Sequence, residues 1–94
     1  MKKDTISTLY RENDKNYNLL KAAEELQELS LALIQHVTKE GDDDTNIIEE
    51  IGDVDIRLGV ARKYFSEKKV KLRIKTKLKS IKRHIKSGKY KDRV

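Results

Sequence analysis

Four carboxylates occur as two matching pairs in the first two thirds of the chain. Glu25 precedes Glu28 by three residues, and Glu50 precedes Asp53 by the same interval. On an α-helix, residues three apart are neighbours on one face, so each pair offers two carboxylates in the same direction. Ligand sets made only of oxygen select hard cations such as Mg²⁺ or Mn²⁺. The spacing therefore suggests a divalent-cation site that could also bind phosphates.

Each carboxylate pair borders an apolar stripe when its segment is drawn as a helix turning about 100° per residue. The first stripe consists of Ala22, Leu26, Leu29, Leu33 and Val37. The second consists of Ile47, Ile51, Val54, Leu58, Ala61 and Phe65. Only a short polar stretch, GDDDT, separates the segments, which favours an antiparallel helical hairpin. If the stripes pack together, all four carboxylates meet on one rim and raise one another's pKa unless a cation neutralises them.

Residues that favour helix ends set the predicted boundaries of the hairpin. Asn16 or Asn18 is the expected N-cap of the first helix, which runs to about residue 40, with Gly41 just past its end. Asn46 followed by Glu49 forms an Asn version of the capping box and opens the second helix, to about residue 65. We therefore expect the hairpin within residues 16–66, after a weakly structured segment at residues 1–15 in which Ile6, Leu9 and Tyr10 could form a short helix.

The last third of the chain predicts a basic amphipathic helix. Ser66 is its expected N-cap and Gly88 its expected end. One narrow apolar stripe recurs at helical spacing: Val70, Ile74, Leu78, Ile81 and Ile85. Residues 67–94 carry 13 Lys/Arg against 2 Asp/Glu, a net charge of +11, whereas residues 1–66 carry 9 against 14, a net charge of −5. The chain thus has an acidic body and a basic tail.

Composition predicts a single all-α domain. The chain has 94 residues, of which 36% are hydrophobic and 40% charged, so a monomer would have a thin core and oligomerisation is expected. Proline is absent and helix-forming residues dominate, which favours an oligomeric helical bundle. Cysteine is also absent, so disulfides and thiolate metal sites are excluded. No segment is long or apolar enough to cross a bilayer, and we expect a cytoplasmic protein without membrane partners.

The stretches EELQE (Glu24, Glu25, Glu28) and EIGD (Glu50, Asp53) resemble the signature of MazG-type nucleoside triphosphate pyrophosphohydrolases, EExxE followed after a gap by ExxD. These enzymes belong to the all-α NTP pyrophosphatase superfamily. The resemblance covers residues 17–66, and the basic tail is similar to that of small stand-alone or phage-type members. It implies hydrolysis of (deoxy)nucleoside triphosphates to the monophosphate and pyrophosphate, by a metal-activated water.

The resemblance also implies roles for individual residues and an assembly. Glu25, Glu28, Glu50 and Asp53 are expected to bind Mg²⁺, with Mn²⁺ as a substitute, and to carry the catalysis. The family is typically oligomeric, so a homodimer or homotetramer is expected. Glu24 and Glu49 lie farther from the stripes, and we expect them behind the metal ligands or in solvent. Five residues are candidates for contacts with the nucleotide: Lys21, Tyr64, Lys68, Lys71 and Arg73.

Four other interpretations remain open. The acidic pairs could be a solvated surface with ion pairs such as Lys21 to Glu25 and Asp53 to Arg57. The basic helix could bind nucleic acid. The chain could be a catalytically inactive, MazG-like assembly protein. A calcium loop could start at Asp42, but Ile47 stands where such a loop needs glycine. His36 is expected on the surface or packed, rather than as a ligand.

Overall fold

The computed structural model describes residues 2–39 and 44–88, with side chains from residue 5 onward. These ranges contain four α-helices and no strand: α1 (Lys2–Glu12), α2 (Lys15–Thr38), α3 (Thr45–Arg62) and α4 (Glu67–Lys86). The all-α prediction is therefore confirmed. The chain divides into two compact units, residues 1–64 and residues 65–94. None of the helices in the described ranges combines the length and apolarity that crossing a bilayer requires.

The first helix lies where the sequence indicated only a weakly structured segment. An isolated helix of this length is marginal in water, so α1 depends on tertiary packing. The Tyr10 ring lies 4.8 Å from the Tyr64 ring, centroid to centroid. A Cβ added to Gly59 would lie 3.0 Å from Ile6 Cδ1, so this glycine lets α1 approach α3 closely. The weak periodicity of residues 1–15 does not reveal these long-range contacts.

The second helix begins before the predicted caps. Asp14 is the N-cap, and its Oδ2 accepts hydrogen bonds from the backbone N–H groups of Asn16 at 3.0 Å and Tyr17 at 3.3 Å. The choice of Asn16 or Asn18 was therefore wrong, because Asp14, two residues before Asn16 and four before Asn18, takes that role. The helix ends at Thr38. The predicted terminal residues 40 and 41 lie outside the described residues.

The ends of α3 and α4 agree only in part with the predicted boundaries. Asp44 is the N-cap of α3 and makes no side-chain cap hydrogen bond, so Asn46 lies inside the helix and the predicted capping box is wrong. The helix ends at Arg62, three residues earlier than expected. Ser66 caps α4 as predicted, with its Oγ accepting from the Lys69 N–H at 3.3 Å. Gly88 follows the end of α4 with φ of +71°, a conformation that glycine adopts without strain.

The face that α2 buries is rotated from the predicted leucine stripe towards the carboxylates. Its fully buried residues are Asn18, Ala22 and Ala32, which on the helical wheel flank Glu25 on both sides. Leu26, Leu33 and Val37 remain 44%, 45% and 80% exposed. On α3, Val54 and Val60 are buried, whereas Ile51 is exposed; Phe65, which the predicted stripe included, follows the end of α3 and is also exposed. Small alanines let the helices pack closely on this face, and they leave the leucines outside.

A buried asparagine connects the three helices of the first unit. Asn18 is 1% exposed, and its Nδ2 donates to the backbone carbonyl of Leu9 at 3.0 Å and to the Tyr64 hydroxyl at 2.8 Å. Its Oδ1 accepts from Asn13 Nδ2 at 3.4 Å. Buried polar groups are tolerated only when such partners exist. Asn18 therefore holds the end of α1, the first turns of α2 and the end of α3 together.

Replacing Asn18 by alanine should destabilise the first unit, because the Leu9 carbonyl and the Tyr64 hydroxyl would both lose a buried partner. We expect a loss of about 2 kcal/mol in the free energy of unfolding, measured by urea denaturation followed by circular dichroism. Asn16→Ala is the matched control, because this asparagine is exposed and offers only its backbone N–H to the Asp14 cap. Equal stability of both variants would contradict the assigned role of Asn18.

Candidate metal centre

Three of the four predicted ligands converge. Glu25 and Glu28 on α2 and Glu50 on α3 each present a carboxylate oxygen, and these oxygens lie within 4.8 Å of one another. Glu25 and Glu50 are half-buried, whereas Glu28 is exposed. The cluster arises because the rotated packing face of α2 places Glu25 between the helices rather than on their outer rim. We call Glu25, Glu28 and Glu50 the carboxylate cluster.

Asp53 lies beside the cluster but not within it. Its charge is close enough to help raise the pKa of Glu25, yet its oxygens are not among those within 4.8 Å of one another. Its side chain is exposed. The predicted set of four ligands is therefore represented by a group of three, with Asp53 at its solvent edge.

Two oxygens of the cluster are shut off from solvent without a hydrogen-bond partner. They are Oε2 of Glu25 and Oε2 of Glu50. A buried acceptor without a donor costs about 1–3 kcal/mol, and more when it is charged, so such atoms are rare in stable proteins. Two of them on facing helices, in one group of carboxylates, fit a bound cation. An oxygen-only donor set of this kind suits Mg²⁺, Mn²⁺ or Ca²⁺ rather than a soft metal.

The pKa of Glu25 is raised above its ordinary value. Partial burial is the largest cause, followed by the charge of Glu28 and a hydrogen bond with the Glu28 side chain; the charges of Asp53 and Glu24 add to it. All these influences oppose ionisation of Glu25. Without a cation the fold therefore favours a proton on this carboxyl, whereas a bound cation would favour the ionised form.

The residues predicted around the cluster have separate positions. Lys21 pairs with Glu24 at 3.4 Å, and not with Glu25 as the helical spacing suggested. This pair leaves Glu25 without the lysine that would have neutralised it. Glu49 is exposed, consistent with a solvent-facing position. Lys21 is half-buried on the same helix as Glu25 and remains a candidate for a phosphate contact.

Tyr64 belongs to a different part of the first unit. Its hydroxyl accepts from Asn18, its ring packs on Tyr10, and Lys15 Nζ lies 5.7 Å from its ring centroid. Fourteen residues separate it from Glu50, which corresponds to about 20 Å along a helix. We therefore remove Tyr64 from the proposed nucleotide site, because its ring and hydroxyl are engaged in packing α1.

The other predicted contacts lie elsewhere in the chain. Lys68, Lys71 and Arg73 are exposed on α4, in the second unit, and their contact with a nucleotide stays a prediction. His36 is exposed, and its Nδ1 lies 4.0 Å from Asp44 Oδ1, so it is not part of the cluster. The calcium-loop interpretation fails because α3 already begins at Thr45. Asp42, its first position, is outside the described residues.

Arg57 is a residue that the sequence analysis assigned only to a surface ion pair. Its Nη1 atom is buried and has no hydrogen-bond partner. Seven residues separate it from Glu50, two helical turns on the same face of α3. The sequence shows this spacing, but the sequence analysis considered Arg57 only as an i,i+4 ion-pair partner of Asp53. A buried guanidinium donor without a partner on this face is available to an anionic group.

Comparison of the chain with protein-family models, with curated proteins and with solved structures finds no match. The functional assignment is therefore argued from the geometry of the carboxylate cluster.

Glu25→Gln should stabilise the cation-free protein at neutral pH. A raised carboxylate pKa favours folding while the group is protonated, below about pH 4. This contribution is lost as the pH rises through the folded-state pKa of Glu25. In buffer with chelator, the variant should therefore unfold at higher urea than wild type at pH 7, and the difference should shrink towards pH 4.

The matched control for this measurement is Glu49→Gln, which removes an exposed carboxylate in place of a half-buried one. Its effect on the free energy of unfolding should stay within about 0.5 kcal/mol at every pH. A Glu25→Gln variant less stable than wild type at pH 7 would contradict the electrostatic account of the cluster.

Proposed function

We propose that this chain is a Mg²⁺-dependent hydrolase of the MazG type, which converts (deoxy)nucleoside triphosphates to the monophosphate and pyrophosphate. The observation that carries the proposal is the convergence of Glu25, Glu28 and Glu50, from two helices, to within 4.8 Å. The unpartnered buried oxygens of Glu25 and Glu50 support a cation between them. Mn²⁺ is expected to substitute, because it prefers the same ligands.

In this proposal the carboxylate cluster would hold Mg²⁺, with Asp53 at its edge. When bound, the cation would supply positive charge to the phosphate oxygens and make water a better nucleophile at neutral pH. Water adds across the α–β phosphoanhydride bond, so that the monophosphate and pyrophosphate separate and one proton is released. Asp53, exposed beside Glu25, is the carboxylate we assign to accept that proton.

Cationic side chains on the same helices would complete the binding of the triphosphate. The unpartnered Nη1 of Arg57 lies two turns from Glu50 on one face of α3 and offers a donor to a phosphate oxygen. Lys21 lies one turn before Glu25 on α2 and pairs with the exposed Glu24 at 3.4 Å. Positioning and electrostatics supply most of the rate in phosphoryl transfer, so such donors matter as much as the base.

The order of contacts along α2 and α3 supports an antiparallel hairpin. Asn18, near the start of α2, contacts Tyr64, just after α3, and His36, near the end of α2, contacts Asp44, just before α3. The carboxylates of Glu25 and Glu50 meet between these two contacts. This crossing order is the one that two neighbouring helices with a short connection produce.

Exposed apolar side chains on α2 and α3 support an oligomer. Seven of them lie outside the face on which the two helices pack: Leu26, Leu31, Leu33, Ile34, Val37, Ile48 and Ile51. Contact with another copy of the chain would remove them from water. Apolar surface of this extent is typical of protein interfaces. We propose that it joins copies of the chain into a cytoplasmic homodimer or homotetramer. A neighbouring copy could then complete the base pocket.

The catalytic proposal predicts that Glu25→Gln and Glu50→Gln each lose at least about 100-fold in pyrophosphate release. A lost cation ligand costs several kcal/mol of transition-state stabilisation, and each 1.36 kcal/mol is tenfold in rate. The measurement is pyrophosphate release from a panel of canonical and modified triphosphates with Mg²⁺. Asp55→Asn is the matched control, because Asp55 is an exposed carboxylate of the same helix and should change the rate less than about threefold.

Circular dichroism must show that all three variants remain helical. Equal pyrophosphate release by wild type and Glu50→Gln would contradict the assigned site. Absence of turnover in wild type with every triphosphate would contradict the hydrolase itself.

Cation binding has a readout that does not depend on turnover. At a Mg²⁺ concentration about ten times its Kd, wild type should gain about 1.4 kcal/mol in the free energy of unfolding. Glu50→Gln should gain much less, because it removes a ligand from α3. Asp55→Asn should respond as wild type does. If Mg²⁺ stabilises Glu50→Gln as strongly as wild type, the cation binds elsewhere.

A further inference from the structure

The fourth helix concentrates positive charge to an unusual degree. Between residues 68 and 86 it carries ten Lys or Arg residues and no Asp or Glu, and its single acidic residue, Glu67, occupies the first turn. An acidic residue there stabilises the helix N-terminus through the helix dipole. Beyond Glu67 the helix contains no carboxylate that could neutralise its cations, so it presents a positive surface to any polyanion.

The cations and the apolar residues of α4 occupy different faces. Val70, Ile74, Leu78, Ile81 and Ile85 fall within about 80° of the helical wheel, and Lys and Arg residues occupy most of the rest. On the part of the helix outside the apolar stripe, one shallow concave surface is lined by five side chains: Thr76, Lys79, Lys82, Arg83 and Lys86. We call these residues the cationic row. Thr76, Lys79, Lys82 and Lys86 follow one another at intervals of three or four residues, about one helical turn, and Arg83 lies next to Lys82.

The chemistry of the cationic row matches a chain of phosphates. Four cations and one hydroxyl follow one another along a single face, so their donors form a line and not a pocket for one isolated ion. Lysine, arginine and threonine are common donors to nucleic-acid phosphates. A line of such donors without carboxylates is complementary to a phosphodiester backbone, which carries one negative charge per about 1.7 Å of duplex axis.

Two features select a duplex over other polyanions. Residues 66–88 contain no Phe, Tyr or Trp, so the helix offers no ring on which the bases of a single strand could stack. The same absence removes the aromatic anchors that helices lying on lipid surfaces often use. Asn and Gln, which read base edges, are also absent from residues 66–88. The cations and the hydroxyl of the row can donate to phosphates in every base sequence, so contacts with the backbone would carry most of the recognition.

We propose that the cationic row of α4 binds the sugar-phosphate backbone of duplex nucleic acid, without preference for base sequence. The proposal concerns the second unit and does not depend on the hydrolase. The proposal agrees with the charge asymmetry of the chain, because the acidic first unit, with its net charge of −5, would repel a duplex. Binding is governed by release of counterions, so its affinity falls steeply with salt concentration.

The test uses the full chain and fluorescence anisotropy of a labelled 20-base-pair duplex at several KCl concentrations. Lys79→Gln/Lys86→Gln removes two charges from the cationic row, whereas Arg73→Gln/Lys77→Gln removes two charges from a different face of the same helix. Both double variants change the net charge equally. The row variant should lose about tenfold or more in affinity at 100 mM salt, and the slope of log K against log salt should fall by about 2.

The control variant should lose less than about threefold in affinity and keep its salt slope. Two unrelated duplex sequences should bind wild type equally, and Glu25→Gln should bind as wild type does. Three results would overturn the proposal: equal losses in both double variants, no binding by wild type at 50 mM salt, or binding to phosphatidylglycerol vesicles under conditions where the duplex is not bound. Circular dichroism checks that both double variants retain α4.

Discussion

Repulsion among carboxylates packed between two helices is the constraint on which the first unit depends. Glu25, Glu28 and Glu50 bring their oxygens within 4.8 Å, and Lys21, the lysine one turn away on α2, pairs with Glu24 and not with these three glutamates. Burial and the neighbouring charges both raise the pKa of Glu25. Such an arrangement costs stability unless a proton or a cation occupies it. A sequence selected only for helix packing would place these charges in solvent.

The alanines of α2 explain how the charges come to be inside. Ala22 and Ala32 are buried, and Glu25 lies between them on the face turned towards α3. With small residues at these positions the helices approach closely, and the glutamate is carried inward. The leucines that would have formed a conventional core stay exposed, where they are available to another copy of the chain. The small size of Ala22 and Ala32 thus accounts both for the inward position of Glu25 and for the exposed leucines of α2.

Sequence patterns predicted the helix type, the carboxylate pairing and the capping of α4, because these depend on residues close together in the chain. They indicated no more than a short helix within residues 1–15, because α1 is packed through contacts that lie far apart in the chain, between Tyr10 and Tyr64 and between Ile6 and the backbone near Gly59. The helical wheel also gave the wrong packing face for α2. It places the most hydrophobic residues on that face and takes no account of small residues, which let two helices approach closely. The buried Asn18 was mistaken for a cap because asparagine commonly serves as one. Its three partners come from segments that only the tertiary fold brings together.

Asn18 also acts as a pivot for the helix pair. It joins α1, α2 and α3 seven residues before Glu25, a lever arm of about 10 Å. A relative tilt of about 3° between α2 and α3 at Asn18 would change their separation at the glutamates by about 0.5 Å. That is close to the difference in span between opposite ligands of Mg²⁺ and of Ca²⁺, whose oxygen distances are about 2.1 Å and 2.4 Å. In the proposed cation site, the stiffness of this hydrogen-bonded amide, remote from the acidic side chains, would therefore affect how sharply ions are discriminated by radius.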